Sequence, residues 1–208
     1  MIAAHSQIRR VNRSHIAKTL VSLLCLCLWA SRAIAAENPQ AVVKTGTDQV
    51  LQLLKQYPGN SGVRREKIRA VVNQYFDFDA IAKRALGPRW NEEPPEKQQE
   101  FTRDFSQLLF DTYLRRIEKY TNERVAYKQK QTGGDYAVIE AVVAGGQSGT
   151  IPIDYYLRLE DGKWKVYDVV IEGIGLVTNY HSQFESILMR SSFDDLLRQL
   201  REKIAAQG

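Results

Sequence analysis

Cysteine is almost absent from this 208-residue chain, which contains only Cys25 and Cys27, and histidine is limited to His5, His15 and His181. The surplus of positive charge is just as local. Arg9, Arg10, Arg13, Lys18 and Arg32 fall within the first 35 residues with no Asp or Glu among them, and taking these five from the 29 Lys and Arg leaves 24 bases against 24 acids. A balanced remainder lacks the basic field that draws a chain to nucleic acid, so a nucleic-acid partner is not expected. A run long enough to cross a bilayer is also missing. Thr19–Ala30 supplies about 12 apolar residues where roughly 20 are needed.

The N-terminal segment reads instead as an export signal: a basic stretch, a short apolar run, then the small-x-small pattern Ala33-Ile34-Ala35. It predicts cleavage after Ala35 or Ala36, with residues 1–35 as signal and 36–208 as a single domain. An uncleaved anchor is the competing reading, favoured by Arg32 close to the cleavage pattern. Leu24 before Cys25 and Leu26 before Cys27 do not suit lipoprotein processing. Cleavage would remove both cysteines and two of the three histidines. Disulfides, thiolate chemistry and Cys/His zinc sites would then be excluded, and no metal or cofactor is expected.

Apolar spacing predicts a polar leader over Glu37–Thr45 and a helix over Thr47–Tyr57, followed by a helix over Arg64–Tyr75 and a short third one that Phe76-Asp77-Phe78-Asp79 leads into and that ends at Leu86-Gly87. Pro94-Pro95-Glu96 opens the longest helix, to about Tyr120. Its residues Phe101, Phe105, Leu108, Leu109, Phe110, Tyr113, Leu114 and Ile117 spread over about two-thirds of the circumference, far more than one buried face requires, so this helix should be covered on two sides. Period-2 runs at Arg124–Lys128, Tyr136–Val143, Thr150–Leu159 and Trp164–Ile171 then predict four strands. Short Gly-containing turns make them an antiparallel meander. Ile151, Ile153, Tyr155, Leu157 and Leu159 share one face, and Tyr167, Val169 and Ile171 alternate with Trp164, Val166 and Val170. Two helices close the chain, the second opened by a Ser192/Asp195 capping pair. The expected class is α+β, a small four-stranded antiparallel sheet packed against several helices.

The chemistry-bearing patterns are weak. His181-Ser182 lacks a partner at useful spacing, Gly146-Gln147-Ser148-Gly149 sits between strands where a nucleophile turn needs a strand and a helix, and Gly173-Ile174-Gly175 has Thr178 where a dinucleotide loop needs its third glycine. Helix amides beside Gly173 and Gly175, or Arg89 next to Trp90, could meet a phosphate; a tight corner needing small residues explains the glycines equally. No catalytic residue is assigned. The abundant aromatics either line an apolar pocket or fill a core.

Several blocks point to a known family. Phe76-Asp-Phe-Asp-Ala-Ile-Ala82, Ala85-Leu-Gly-Pro-Arg-Trp90, Phe101-x3-Phe105-x3-Leu109-x3-Tyr113, Trp164-Lys-Val-Tyr-Asp-Val-Val-Ile-Glu-Gly173 and Asn179-Tyr-His-Ser-Gln-Phe184 resemble the periplasmic phospholipid-binding proteins of the Mla system, the MlaC or toluene-tolerance family. The resemblance runs from about Thr47 to Ile204. It departs at Gly175, where Ser is expected, and at His181, where Arg is expected.

This resemblance implies a periplasmic carrier of phospholipid between outer and inner membranes, with acyl chains held in an apolar cavity between sheet and helices. The partners it implies are an inner-membrane MCE-domain protein with its ABC transporter and an outer-membrane lipoprotein–porin complex. A small hydrolase or isomerase with an apolar cleft, a carrier of another lipid such as a hopanoid, and an adaptor binding only proteins remain as alternatives. Strand face and helix period select Phe105, Leu109, Tyr113, Ile153, Tyr155, Leu157, Tyr167, Val169, Ile171, Ile174 and Phe184 as candidate lipid-binding residues. Arg89, Gly173 and Gly175 are the candidate headgroup contacts.

Overall fold

The computed structural model describes residues 37–59, 62–118, 124–146 and 149–207. The export signal with its Ala35/Ala36 cleavage position, Tyr120, and the turn residues Gln147 and Ser148 lie outside them.

Helix α1 (Pro39–Gln56) starts well before Thr47, so the expected polar leader is helical from Pro39. Asn38 caps it, its side-chain oxygen accepting from the Gln40 amide at 2.8 Å, and Pro39 takes the first position, where no amide is needed. Helices α2 (Gly62–Tyr75) and α3 (Phe78–Leu86) follow. Asp77 caps α3 by accepting from the Ala80 amide at 2.9 Å. After α3 a 3-10 turn, Gly87–Glu92, leads to the long helix α4 (Pro95–Ile117). Gly87 adopts φ +59°, and a Cβ there would lie 2.9 Å from the His181 ring. His181 in turn places Nδ1 3.1 Å from the Ala85 carbonyl oxygen, so it secures the end of α3.

The sheet consists of β1 (Arg124–Gly133), β2 (Tyr136–Gly146), β3 (Gly149–Glu160), β4 (Lys163–Ile171) and β5 (Ile174–Gly175), antiparallel throughout in the order β1-β2-β3-β4-β5. There are five strands where four were expected. The fifth is a two-residue return, Ile174 opposite Ile171 and Gly175 opposite Val170, too short for a period-2 signal. Helices α5 (Leu176–Leu188) and α6 (Phe193–Ala205) complete the chain, and α6 carries the expected capping box between Ser192 and Asp195.

A β-bulge in β4 decides which side chains face the helices. Tyr156 pairs with Asp168 but Leu157 pairs with Val166, leaving Tyr167 as the extra residue. Trp164, Val166, Val169 and Ile171 consequently share one face, packed with Leu157 and Ile139, in place of the strict alternation expected.

The wide apolar surface of α4 is covered on two sides. Phe101, Phe105 and Leu108 pack against α3, α5 and α6, whereas Phe110 and Leu114 pack with Ile68 of α2. Charged pairs at these seams are largely withdrawn from water. Asp111, 4% exposed, meets Arg65 at 2.5 Å, and Arg69 lies 4.0 Å over the Phe110 ring. Such pairs fix the register of α2 on α4, because removing one partner would strand a buried charge.

Candidate functional site: an apolar cavity between sheet and helices

A cavity of about 910 Å³ lies between the sheet and helices α1, α2 and α4, toward the upper end of the roughly 300–1,000 Å³ usual for ligand sites. The sheet provides Val125, Ala141, Val143, Ile151, Ile153, Tyr155, Val166, Val169 and Ile171. Helix α1 adds Val42, Val43, Gly46, Thr47, Val50 and Leu51; α2 adds Ile68, Val71, Val72 and Tyr75. The remaining wall comes from the C-terminal half of α4, from Leu109 through Tyr113 to Ile117, and from Phe76, Phe78, Ile81 and Leu176. Phe76 and Phe78 stack with ring centroids 5.8 Å apart.

The cavity has a closed end and a mouth. At the closed end Val42 and Val43 pack with Ala137, Ile139, Leu157 and Trp164 in solid core. Toward the other end of the sheet the lining becomes exposed, at Gly145, Gly149 and Glu172, and at Arg116 near the end of α4. Arg116 and Glu172 are the only charged residues among the described lining residues. Burial pushes the Tyr113 phenol up, and the Arg116 guanidinium, 5.6 Å from that ring's centroid, partly offsets the shift. Between the two ends lies an apolar chamber with a few phenol and hydroxyl groups. Such a chamber can shelter hydrocarbon but offers little to polarise a bond.

Of the candidate lipid-binding residues, Leu109, Tyr113, Ile153, Tyr155, Val169 and Ile171 line this cavity. Phe105 and Phe184 do not: they interlock with each other at 5.1 Å and with Phe101 and Tyr180, where α4 packs against α5. Leu157, fully buried, belongs to the solid layer below Tyr155. The bulge turns Tyr167 to the other sheet face, where it meets Tyr136, Tyr156 and the Arg84 guanidinium. Ile174, 65% exposed, sits on the outer return β5.

The candidate headgroup contacts are not among the described lining residues either. Arg89 pairs with Glu92 at 3.0 Å and lies 3.8 Å from Glu185 on the surface. Gly173 forms the turn before β5, and Gly175 is the N-cap of α5. One of the helix amides expected there is already engaged: Asp168 accepts from Val177 N at 3.2 Å, as it does from Val169 N of β4 at 2.8 Å, and so puts a carboxylate beside that helix start. Burial pushes the Asp168 carboxyl up, while those two amides and Arg84 pull it back. The lining residues not among the candidates include all those of α1 and α2, together with Val125, Ala141, Val143, Ile151 and Val166 of the sheet. The signal for α1 was the Asn38-Pro39 start, obscured by Gly46 in the helix interior.

Among the described residues no helix is long and apolar enough to cross a membrane, and no group of three or more His, Cys, Asp or Glu side chains is placed to hold a metal ion. Fold and cavity thus define the class: a mixed helix-and-sheet domain built around an internal apolar chamber. The MlaC protein family model matches residues 44–202, and the chain belongs to that family. It is 26% identical over 178 residues to the toluene tolerance protein ttg2D of Pseudomonas putida, covering 83% of each chain. It is 21% identical over 192 residues to the intermembrane phospholipid transport system binding protein MlaC of Haemophilus influenzae, covering 88% of this chain and 90% of that one. A solved structure of a phospholipid-binding protein from Ralstonia solanacearum, in complex with a phospholipid, is 30% identical with a TM-score of 0.73 and covers 82% of this chain and 98% of that one.

Proposed function

We propose that the protein is a periplasmic phospholipid carrier, exported by residues 1–35 and moving lipid between the outer and inner membranes to maintain outer-membrane lipid asymmetry. The observation that carries this reading is the 910 Å³ apolar cavity, in a fold shared with a protein solved in complex with a phospholipid. At roughly 30 Å³ for a group the size of a water molecule or a methylene, that volume accommodates on the order of thirty methylenes, or two acyl chains of about 16 carbons. At ~0.8 kcal/mol per methylene, about 25 kcal/mol of hydrocarbon stays out of water during transit.

A cavity of this kind offers nearly the same shelter as a bilayer, so loading and unloading run close to balance. Direction then comes from the partners, an inner-membrane MCE-domain protein with its ABC transporter and an outer-membrane lipoprotein–porin complex. The work needs neither nucleophile nor metal. His181, occupied with the Ala85 carbonyl and the Gly87 turn, gives a hydrolase reading no support. The test is transfer of labelled phospholipid from donor to acceptor vesicles by purified protein. Transfer that scales with protein concentration is expected; no transfer above the spontaneous rate would refute the carrier reading.

A further inference from the structure

The two charged residues of the cavity wall stand at its mouth and have opposite signs. Arg116 is exposed near the C-terminal end of α4, its guanidinium over the ring of Tyr113, which itself lines the chamber. Glu172 is exposed immediately after β4, its backbone set at φ +51° and its amide donating to the Pro152 carbonyl at 3.0 Å. Among the described residues neither is in an ion pair, and they are set apart from other unpaired charges by their place in the cavity wall.

A diacyl phospholipid whose chains fill the chamber must leave its phosphate where the apolar wall ends. At that level a guanidinium offers forked donors to phosphate oxygens. A carboxylate at the same rim accepts from an ammonium group and repels a second anion. We propose that Arg116 and Glu172 form a headgroup site for zwitterionic, amine-bearing phospholipid, with phosphate on Arg116 and the terminal ammonium on Glu172. This rests on the carrier reading above. It also replaces the expected contacts Arg89, Gly173 and Gly175, none of which is among the described lining residues.

Both side chains work in contact with solvent, so the selection is modest: about three- to fivefold, the upper range an exposed charge contact sustains. The experiment loads wild-type protein, Arg116→Gln and Glu172→Gln from vesicles of equal phosphatidylethanolamine and phosphatidylglycerol with matched chains, and reads bound species by native mass spectrometry. Wild type should favour phosphatidylethanolamine. Glu172→Gln should lose that preference by about threefold or more, and Arg116→Gln should retain less of both lipids.

A bound-lipid ratio in Glu172→Gln equal to wild type overturns the assignment, as does an undiminished load in Arg116→Gln. Inorganic phosphate titrated onto lipid-free protein should show no binding that depends on Arg116; such binding would assign the guanidinium to a free anion. Wild type that takes up neither lipid would instead refute the carrier reading itself, so the two failures are distinguishable.

Discussion

The two flanks of α4 are made from the same kinds of side chain and reach opposite outcomes. Toward α5 and α6, the rings of Phe101, Phe105, Tyr180, Phe184 and Phe193 interlock at centroid separations of 4.9–5.9 Å, mostly tilted or edge to face. Toward the sheet, Leu109, Phe110, Tyr113 and Leu114 face about 910 Å³ of open chamber. Rings from three helices converge on the first flank and bury one another. On the second, α1 rests on the sheet near Val42 and Val43 and α2 rests on it near Tyr75, and the two helices span the remainder. Hydrophobicity alone therefore does not distinguish core from site; the geometry of what covers each flank does.

The contrast is broken most severely at Phe105→Ala. Deleting a fully buried ring should cost about 3–5 kcal/mol and lower the melting temperature sharply, while lipid per folded molecule stays at the wild-type level. Lipid loss proportionally greater than loss of folded protein would put Phe105 in the binding site. Ile153→Trp should do the reverse. Added bulk enters open space, so stability should shift by no more than about 1 kcal/mol, yet bound phospholipid should fall several-fold.

Gly46→Ala is a finer test. A Cβ there would lie 3.0 Å from the Tyr75 ring, which borders the chamber and can move a few tenths of an ångström into it. The better helix former contributes up to about 1 kcal/mol, so thermal stability should hold or rise slightly as lipid capacity drops. A clear fall in melting temperature would show that Tyr75 cannot yield.

The smallest effect belongs to Asp195, in the first turn of α6. Arg198 and Ser192 hold its carboxyl down to about 2 from an ordinary 3.8. A lowered folded-state value means the unfolded chain binds the proton more readily. The stabilisation is therefore complete above the unfolded value and is lost as pH falls through about 2. Asp195→Asn should flatten that part of the pH profile in denaturant titrations and leave lipid binding unchanged; an unaltered profile would remove the capping box from the account.

Much of this arrangement was legible in the sequence. The two-sided covering of α4 followed from how widely its apolar residues wrap the helix, and the meander from the glycine turns between strands. Four features were not legible, each for a physical reason. The bulge at Tyr167 reverses the facing of everything beyond it, and periodicity carries no mark of one extra residue. The start of α1 rests on a cap and a proline, not on an apolar stripe. Phe105 and Leu109 follow one helical stripe yet end in core and cavity wall respectively, because the difference comes from α5 and α1, distant in the chain. Arg116 was passed over because an arginine in the last turn of a helix is already explained by the dipole.

The central claim is that the chamber between sheet and helices holds the acyl chains. Native mass spectrometry of the full-length protein and of Ile153→Trp, each purified from cells without detergent, tests it most directly. The account predicts a wild-type species heavier by one diacyl phospholipid and a folded Ile153→Trp protein largely without it. Wild type recovered lipid-free and taking none from vesicles, or a variant loaded as fully as wild type, would contradict it.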